Sequence, residues 1–144
     1  MTNTSEYTEL KKIVELANEL GIEARELAEN IGEIDFEIDN YRFIQSEHID
    51  KIQQEELSND EYILGCFNDW FISSNCDIDI DVVQALQKAE AYEALGKLML
   101  KNGIEDLQSE YASVDGYGHH FAHYDGEGIE IQIDGTWYYY FRTN

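Results

Sequence analysis

The sequence predicts an α+β fold: a helix-rich single domain over residues 1–144, with one strand in its N-terminal half and a three-stranded antiparallel sheet at its C-terminus. Three observations support this. Apolar residues recur at three- and four-residue steps over much of the first 113 residues, residues 34–38 alternate between apolar and acidic, and glycine, histidine and tyrosine dominate from Val114 onward. A chain of 144 residues with 43% hydrophobic content fits one core, and no internal repeat is evident.

Two short helices are predicted at the N-terminus. The first ends at Gly21 and the second at Gly32, because glycine is the residue that most often follows a helix C-terminus. Their apolar positions recur mostly at helical spacing: Leu10, Ile13, Val14, Ala17, Leu20, Ile22, Leu27 and Ile31. This layout is typical of a helix-turn-helix DNA-binding motif. The charge of the second helix therefore decides whether the motif can bind DNA.

A half-buried strand with one acidic face is predicted immediately afterwards. Apolar residues 34, 36 and 38 alternate with acidic residues 35, 37 and 39, and successive side chains of a strand point to opposite faces of a sheet. The strand can extend through residues 41–44. A polar helix is then predicted from Ser46 to about Leu57.

The middle of the chain is predicted to be helical. A central core helix over residues 58–75 is expected to bury Ile63, Phe67, Trp70 and Phe71, and Cys66 in the same stretch is expected to be buried or structural. A long helical region follows over residues 82–102, with Asp79 or Asp81 as its N-cap and Gly103 at its end. A short amphipathic helix is expected over residues 104–113.

Three short strands joined by glycine turns are predicted at the C-terminus, over residues 117–125, 129–134 and 136–143. The two cysteines cannot form a disulfide framework, and the N-terminal residues lack the features of a signal peptide. No apolar run approaches the length of about 20 residues that a bilayer requires. We therefore expect a cytoplasmic protein without a membrane segment.

The charge of the chain excludes several classes of partner. Lysine and arginine number 9 against 31 aspartate and glutamate residues, so the formal net charge is −22 at pH 7. A surface dominated by carboxylate repels nucleic acid and anionic membranes. The second N-terminal helix carries Glu23, Glu26 and Glu29 against Arg25, where a DNA-reading helix needs basic or amide side chains. DNA reading is therefore not expected.

The same carboxylates predict the inverse role, in which the protein occupies a surface that normally binds nucleic acid. The residues expected to imitate phosphates recur along the N-terminal helices and the strand: Glu15, Glu19, Glu23, Glu26, Glu29, Glu33, Asp35, Glu37 and Asp39. Basic residues are too few to neutralise them, and their mutual repulsion costs stability unless a function requires concentrated charge.

In size, charge and lack of a catalytic motif the chain is similar in kind to the DNA-mimicking antirestriction and anti-CRISPR proteins of phages and mobile elements. That similarity implies an inhibitor whose partner is a nucleic-acid-binding protein or complex with a basic groove. Long-range attraction would speed association, and an aromatic contact would provide specificity. The residues expected to form that contact are Tyr117, Tyr124 and Trp137.

Other functions are also compatible with the sequence. Three histidines, His119, His120 and His123, lie between Asp115 and Asp125, and histidines near carboxylates can hold a metal ion or transfer protons. A small metal-dependent enzyme is therefore one alternative, and an acidic protein-interaction module is another. A halophilic environment would also favour an acidic surface. We expect no enzyme, cofactor or metal, because no catalytic or metal-binding motif is present.

Overall fold

The computed structural model describes residues 4–144, with side chains from Thr8 onward. In chain order the elements are α1 (Thr4–Leu20), α2 (Ala24–Asn30), β1 (Asp35–Ile38), β2 (Tyr41–Gln45), α3 (Ile49–Ser58), α4 (Glu61–Gly65), α5 (Asp69–Cys76), α6 (Ile80–Lys88), α7 (Tyr92–Asn102), α8 (Glu105–Asp115), α9 (Tyr117–Phe121), β3 (Gly128–Ile133) and β4 (Thr136–Arg142). The predicted α+β fold class is confirmed.

The chain divides into two compact units. The sheet unit comprises the residues up to Ile49 together with Gly116–Asn144, and the helical unit comprises Asp50–Asp115. The single-domain organisation stays a prediction, because compactness of two parts does not decide whether they fold independently.

Two hairpins form one antiparallel sheet of order β1-β2-β4-β3. Two-residue turns close the hairpins, at residues 39–40 and residues 134–135. Asp39 and Asp134 have φ of 51° and 52°, the left-handed conformation that the favoured two-residue hairpin turns require. The strand predicted over residues 34–38 is therefore one half of an N-terminal hairpin, which joins the C-terminal hairpin through β2 and β4.

Helices α1 and α2 pack on one face of the sheet, as their apolar spacing requires. The side chains buried between helices and strands include Leu16, Leu27, Ile38, Phe43, Ile133 and Tyr138. The hydroxyl of Tyr138 accepts a hydrogen bond from the backbone N–H of Gly32 at 2.8 Å, which fixes the end of α2 against β4. The outer sides of both helices remain exposed to solvent.

The opposite face of the sheet is partly covered by α9, where the sequence predicted a strand. Tyr117 and Phe121 are one helical turn apart, and their rings contact those of Tyr139 and Phe141 with centroids 5.1 Å apart in each pair. The prediction of a third C-terminal strand over residues 117–125 is therefore wrong. The segment contains no β-branched residue, and a helical turn places both aromatic rings on the sheet.

The stretch predicted as one core helix is two helices, α4 and α5. The side chain of Asn68 accepts hydrogen bonds from two backbone N–H groups of the next turn, at 3.1 and 3.2 Å, and so caps α5. The break between α4 and α5 changes which residues of the stretch face the core. Leu64 and Ile72 are fully buried, whereas Ile63 and Trp70 are 47% and 61% exposed, so the predicted burial of the last two is wrong.

The second long helical region is also divided, into α6 and α7, by a turn at Glu90 with φ of 57°. Asp79 caps α6, because its carboxylate accepts a hydrogen bond from the backbone N–H of Asp81 at 2.8 Å. Of the two predicted caps, Asp79 is therefore confirmed.

Replacing Asp79 by alanine is expected to lower the free energy of unfolding by about 1 kcal/mol, since α6 loses its N-cap. Urea unfolding followed by circular dichroism measures this change. Asp81→Ala is the matched control, because it removes the same charge from the first turn of α6 without removing the cap. An equal loss in both variants would show that the capping bond does not stabilise α6.

Helices α4 and α7 cross at two glycines, with their backbones in direct contact. A Cβ atom on Gly65 would lie 2.0 Å from the carbonyl oxygen of Tyr92, and a Cβ atom on Gly96 would lie 2.0 Å from that of Glu61. The contact is reciprocal, because each glycine meets the carbonyl of the residue four positions before the other glycine. Only glycine allows this approach.

An offset of 31 positions relates five residues of α3 and α4 to identical residues of α6 and α7. These pairs are Ile49 and Ile80, Asp50 and Asp81, Gln53 and Gln84, Leu64 and Leu95, and Gly65 and Gly96.

The two cysteines differ in environment. Cys76 is buried in the helical unit, whereas Cys66 is exposed, so of the two roles expected for Cys66, buried or structural, burial is wrong. Burial, together with the nearby carboxylates of Asp106 and Glu105, raises the pKa of the Cys76 thiol to about 11.

We expect the stability of the protein to fall as pH rises from about 9 to about 11. Over this range the unfolded chain releases the Cys76 proton while the folded chain retains it, so rising pH favours unfolding. Thermal unfolding at a series of alkaline pH values measures the effect. Cys76→Ala should show a weaker pH dependence than the parent, and an unchanged dependence would contradict the assignment to Cys76.

Candidate partner-binding surface

The predicted carboxylates of the N-terminal helices are all exposed. They are Glu15 and Glu19 on α1, and Glu23, Glu26 and Glu29 at the start of α2 and along it. Glu19 lies nearest the sheet, since burial and then the charge of Glu19 raise the pKa of the Tyr140 hydroxyl. We call these exposed carboxylates the acidic helix surface and include Glu33, which is exposed just after α2.

Few cations neutralise the acidic helix surface. Lys11 lies 3.9 Å from Glu15, and Arg25 lies 3.0 Å from Glu29, both as exposed pairs one helical turn apart. Such exposed pairs contribute less than about 1 kcal/mol. Among the side chains that the structure describes, Glu23 and Glu26 form no ion pair.

The excess charge is divided equally between the two units. The sheet unit has 16 acidic and five basic residues, and the helical unit has 15 acidic and four basic residues, so that each has a formal charge of −11. Because β1 and the N-terminal helices belong to the sheet unit, that unit holds all nine carboxylates predicted to imitate phosphates.

The carboxylates of β1 do not join the acidic helix surface. Phe36 and Ile38 point toward α1 and α2, so Asp35 and Glu37 point to the opposite face of the sheet. Asp35 is held by Arg42 in a bidentate pair, with distances of 2.9 and 2.7 Å from its oxygens to Nε and Nη2. Asp39, also exposed, lies in the hairpin turn that follows β1. The predicted row is therefore split between two faces.

The three predicted aromatic contacts do not form one patch. Tyr117 packs against the ring of Tyr139, and Trp137 is 49% exposed at the start of β4. Tyr124 lies near the other end of β4, where Arg142 stacks over its ring at 3.8 Å from the centroid. Tyr124 and Trp137 therefore lie near opposite ends of β4 and do not form a single aromatic contact site.

The histidine cluster is also dispersed. His119 and His120 are consecutive residues of α9, and His123 is exposed after the helix ends. Helical neighbours point about 100° apart, unlike the common strand face that would have aligned His119 with His123. Among the side chains described, from Thr8 to Asn144, no group of three histidine, cysteine, aspartate or glutamate residues is arranged to hold a metal ion.

The sequence interpretation missed an exposed aromatic pair in the helical unit. Tyr62 of α4 is 51% exposed, and its ring meets that of Tyr92 of α7 edge to face, with centroids 5.4 Å apart. The charge of the neighbouring Cys66 side chain and its hydrogen bond raise the pKa of the Tyr62 hydroxyl above its ordinary value. No local signal in the sequence indicated this pair, because the two tyrosines are 30 residues apart and meet only where α4 crosses α7.

No helix in the described part of the chain is both long and apolar enough to cross a membrane. Comparisons of the chain with protein-family models, curated proteins and solved structures found no match.

Proposed function

We propose that this protein is an acidic inhibitor that occupies the basic nucleic-acid-binding surface of another protein, as antirestriction and anti-CRISPR inhibitors of phages do. The observation that supports the proposal is the acidic helix surface, where carboxylates project from two helices with few cations among them. Retaining this repulsion costs stability, and binding to a basic partner would relieve it.

The spacing of the carboxylates determines how closely they could reproduce the phosphate spacing of a nucleic acid. Residues three or four apart along a helix are separated by about 4.5–6 Å along its axis, whereas duplex DNA carries one charge per about 1.7 Å when both strands are counted. One helix is therefore too sparse to replace a duplex. The surface formed by α1 and α2 together would imitate a short segment of a phosphate backbone, and the rest of the −22 charge would add long-range attraction.

Carboxylates that replace phosphates would make binding depend on salt. The partner's lysines and arginines would exchange nucleic acid for the acidic helix surface, so association would be fast at low ionic strength and slower at high ionic strength. Specificity would then come from contacts that salt screens less, such as aromatic side chains packed at the interface.

Affinity capture from a cell lysate tests the proposal. The tagged protein serves as bait, and the captured proteins are eluted with short duplex DNA, with RNA, or with a neutral polysaccharide. We expect a nuclease or another nucleic-acid-binding enzyme to be retained and to be released by the nucleic acids only.

A bait in which glutamine replaces Glu23, Glu26 and Glu29 is the control for the surface itself. We expect it to retain less of the same partner. A partner that stays bound in excess DNA and at high salt would favour an acidic protein-interaction module unrelated to nucleic acid. Retention of no basic protein would contradict the proposal and leave the acidity as a property suited to the environment.

A further inference from the structure

Two cavities flank the Tyr62–Tyr92 pair, and both lie within the helical unit. The first has a volume of about 450 Å³ and is lined by Tyr62, Tyr92, Phe67, Gln87 and Asp69 among others. The second has a volume of about 490 Å³ and adds Glu90, Glu93 and Lys97 to the same two tyrosines. Both tyrosine rings therefore contribute to the walls of two open recesses.

The charges around the two rings are mainly negative. Asp69 accepts hydrogen bonds from the backbone N–H of Trp70 at 2.7 Å and from Gln84 at 3.0 Å, which fix its carboxylate without a cation. Glu90 and Glu93 line the second cavity. Its one lysine, Lys97, lies 3.9 Å from Glu61, which offsets its charge.

An aromatic ring bordered by carboxylates is complementary to a guanidinium group. The planar cation stacks on the ring face while its N–H groups donate to carboxylate oxygens. The chain uses the same chemistry within the sheet unit, where Arg42 lies 5.0 Å from the centroid of Phe121 and Arg142 lies 3.8 Å from that of Tyr124. Tyr124 thus already has its cation, whereas the recesses beside Tyr62 and Tyr92 have room for one.

We propose that the cavities flanking Tyr62 and Tyr92 receive an arginine side chain of the protein partner. This inference rests on the proposed function in one respect, namely that the partner presents a basic surface. The site would provide the specific contact that the sequence assigned to Tyr117, Tyr124 and Trp137. Arginine is the expected occupant because surfaces that bind phosphates are rich in it and because it stacks on aromatic rings better than lysine.

Nuclear magnetic resonance with short peptides tests the site without any partner. Three blocked tripeptides, Gly-Arg-Gly, Gly-Lys-Gly and Gly-citrulline-Gly, are titrated into the protein at about 0.15 M salt. We expect the arginine peptide to shift the ring resonances of Tyr62 and Tyr92 most, with a Kd on the order of 1 mM. The lysine peptide should bind more weakly, and the neutral citrulline peptide should not bind.

Two variants and a control locate the binding. Tyr62→Leu and Glu90→Gln should each weaken the arginine peptide about threefold to fivefold, the loss expected for a cation–π or exposed charge contact. Trp70→Leu, at an exposed aromatic residue of the helical unit that lines neither cavity, should leave binding unchanged. Unchanged binding in Tyr62→Leu, or equal shifts along the acidic helix surface, would overturn the proposal.

Free arginine separates a partner's side chain from a small-molecule ligand. Micromolar binding of the free amino acid without binding of the blocked peptide would also overturn the proposal. Because the peptides report on the helical unit alone, a failure of partner capture leaves these results intact. A failure of peptide binding likewise leaves the acidic helix surface to be judged by its own variants.

Discussion

Lysine in place of Glu23, Glu26 and Glu29 is expected to weaken binding of the basic partner by at least about 100-fold. Each reversal replaces an attraction with the juxtaposition of two positive charges, and like-charge juxtaposition at an interface costs several kcal/mol in total. A loss of about 2.7 kcal/mol already corresponds to 100-fold in Kd. Calorimetric titration at fixed salt measures the change. All three side chains are exposed, so folding should be retained.

A matched triple variant on α8 separates the surface from the net charge. Glu105, Asp106 and Glu110 are also exposed, with two of the three in the first turn of their helix, and their replacement by lysine changes the charge equally. We expect this control to lose less than about tenfold, through reduced long-range attraction alone. Equal losses in the two triple variants would show that the acidic helix surface is not the contact.

Gly65→Ala is expected to lower the free energy of unfolding by about 2 kcal/mol. Overpacking in a close-packed interior costs about 1–3 kcal/mol, and the upper end applies here because the added Cβ meets a backbone carbonyl of Tyr92 rather than a flexible side chain. The intrinsic preference of helices for alanine offsets up to about 1 kcal/mol of this cost. Urea unfolding followed by circular dichroism measures the difference, and Gly96→Ala should behave in the same way.

Cys66→Ala is the control for this prediction, since it introduces the same residue at the next, exposed position. It should change the unfolding midpoint only slightly. A Gly65→Ala variant with the stability of the parent would contradict the close crossing of α4 and α7. The Gly65→Ala variant should also lose the edge-to-face contact of Tyr62 and Tyr92, because the two helices must separate to accommodate a methyl group.

Much of the sheet unit was predictable because its pattern is local. Alternation over residues 34–38 correctly placed Phe36 and Ile38 in the core, although Ile34 of the same pattern is exposed. The three- and four-residue spacing of α1 correctly predicted the burial of Ile13 and Ala17, but Leu10 and Val14 of that pattern are exposed. The α9 segment was mispredicted because five residues are too few to show a period, and its helical form depends on contacts with distant β4.

The helical unit was harder to predict, because its breaks depend on single residues. Asn68 restarts a helix through its side chain, and Glu90 adopts a left-handed conformation that its residue type does not favour. Each break shifts the register of the following helix, so the continuous pattern assigned Trp70 to the core although it is exposed. A pattern that assumes one uninterrupted helix cannot detect such a shift.

The candidate surface likewise combines features that local sequence predicts with contacts that it does not predict. Exposure of Glu23, Glu26 and Glu29 follows from their chemistry, because unpaired carboxylates are rarely buried. The pairing of Asp35 with Arg42 depends on strand register, and the stacking of Arg142 on Tyr124 joins residues from different parts of the fold. These contacts determine which groups are free to meet a partner, and local sequence does not specify them.

Competition between this protein and nucleic acid for one purified partner tests the mimicry proposal most directly. The apparent Kd of the protein for the partner is measured at increasing concentrations of a short duplex that the partner binds. Mimicry predicts that the apparent Kd rises in proportion to the duplex concentration, because the two ligands occupy the same basic groove. A Kd that stays constant while a complex of all three components accumulates would contradict it.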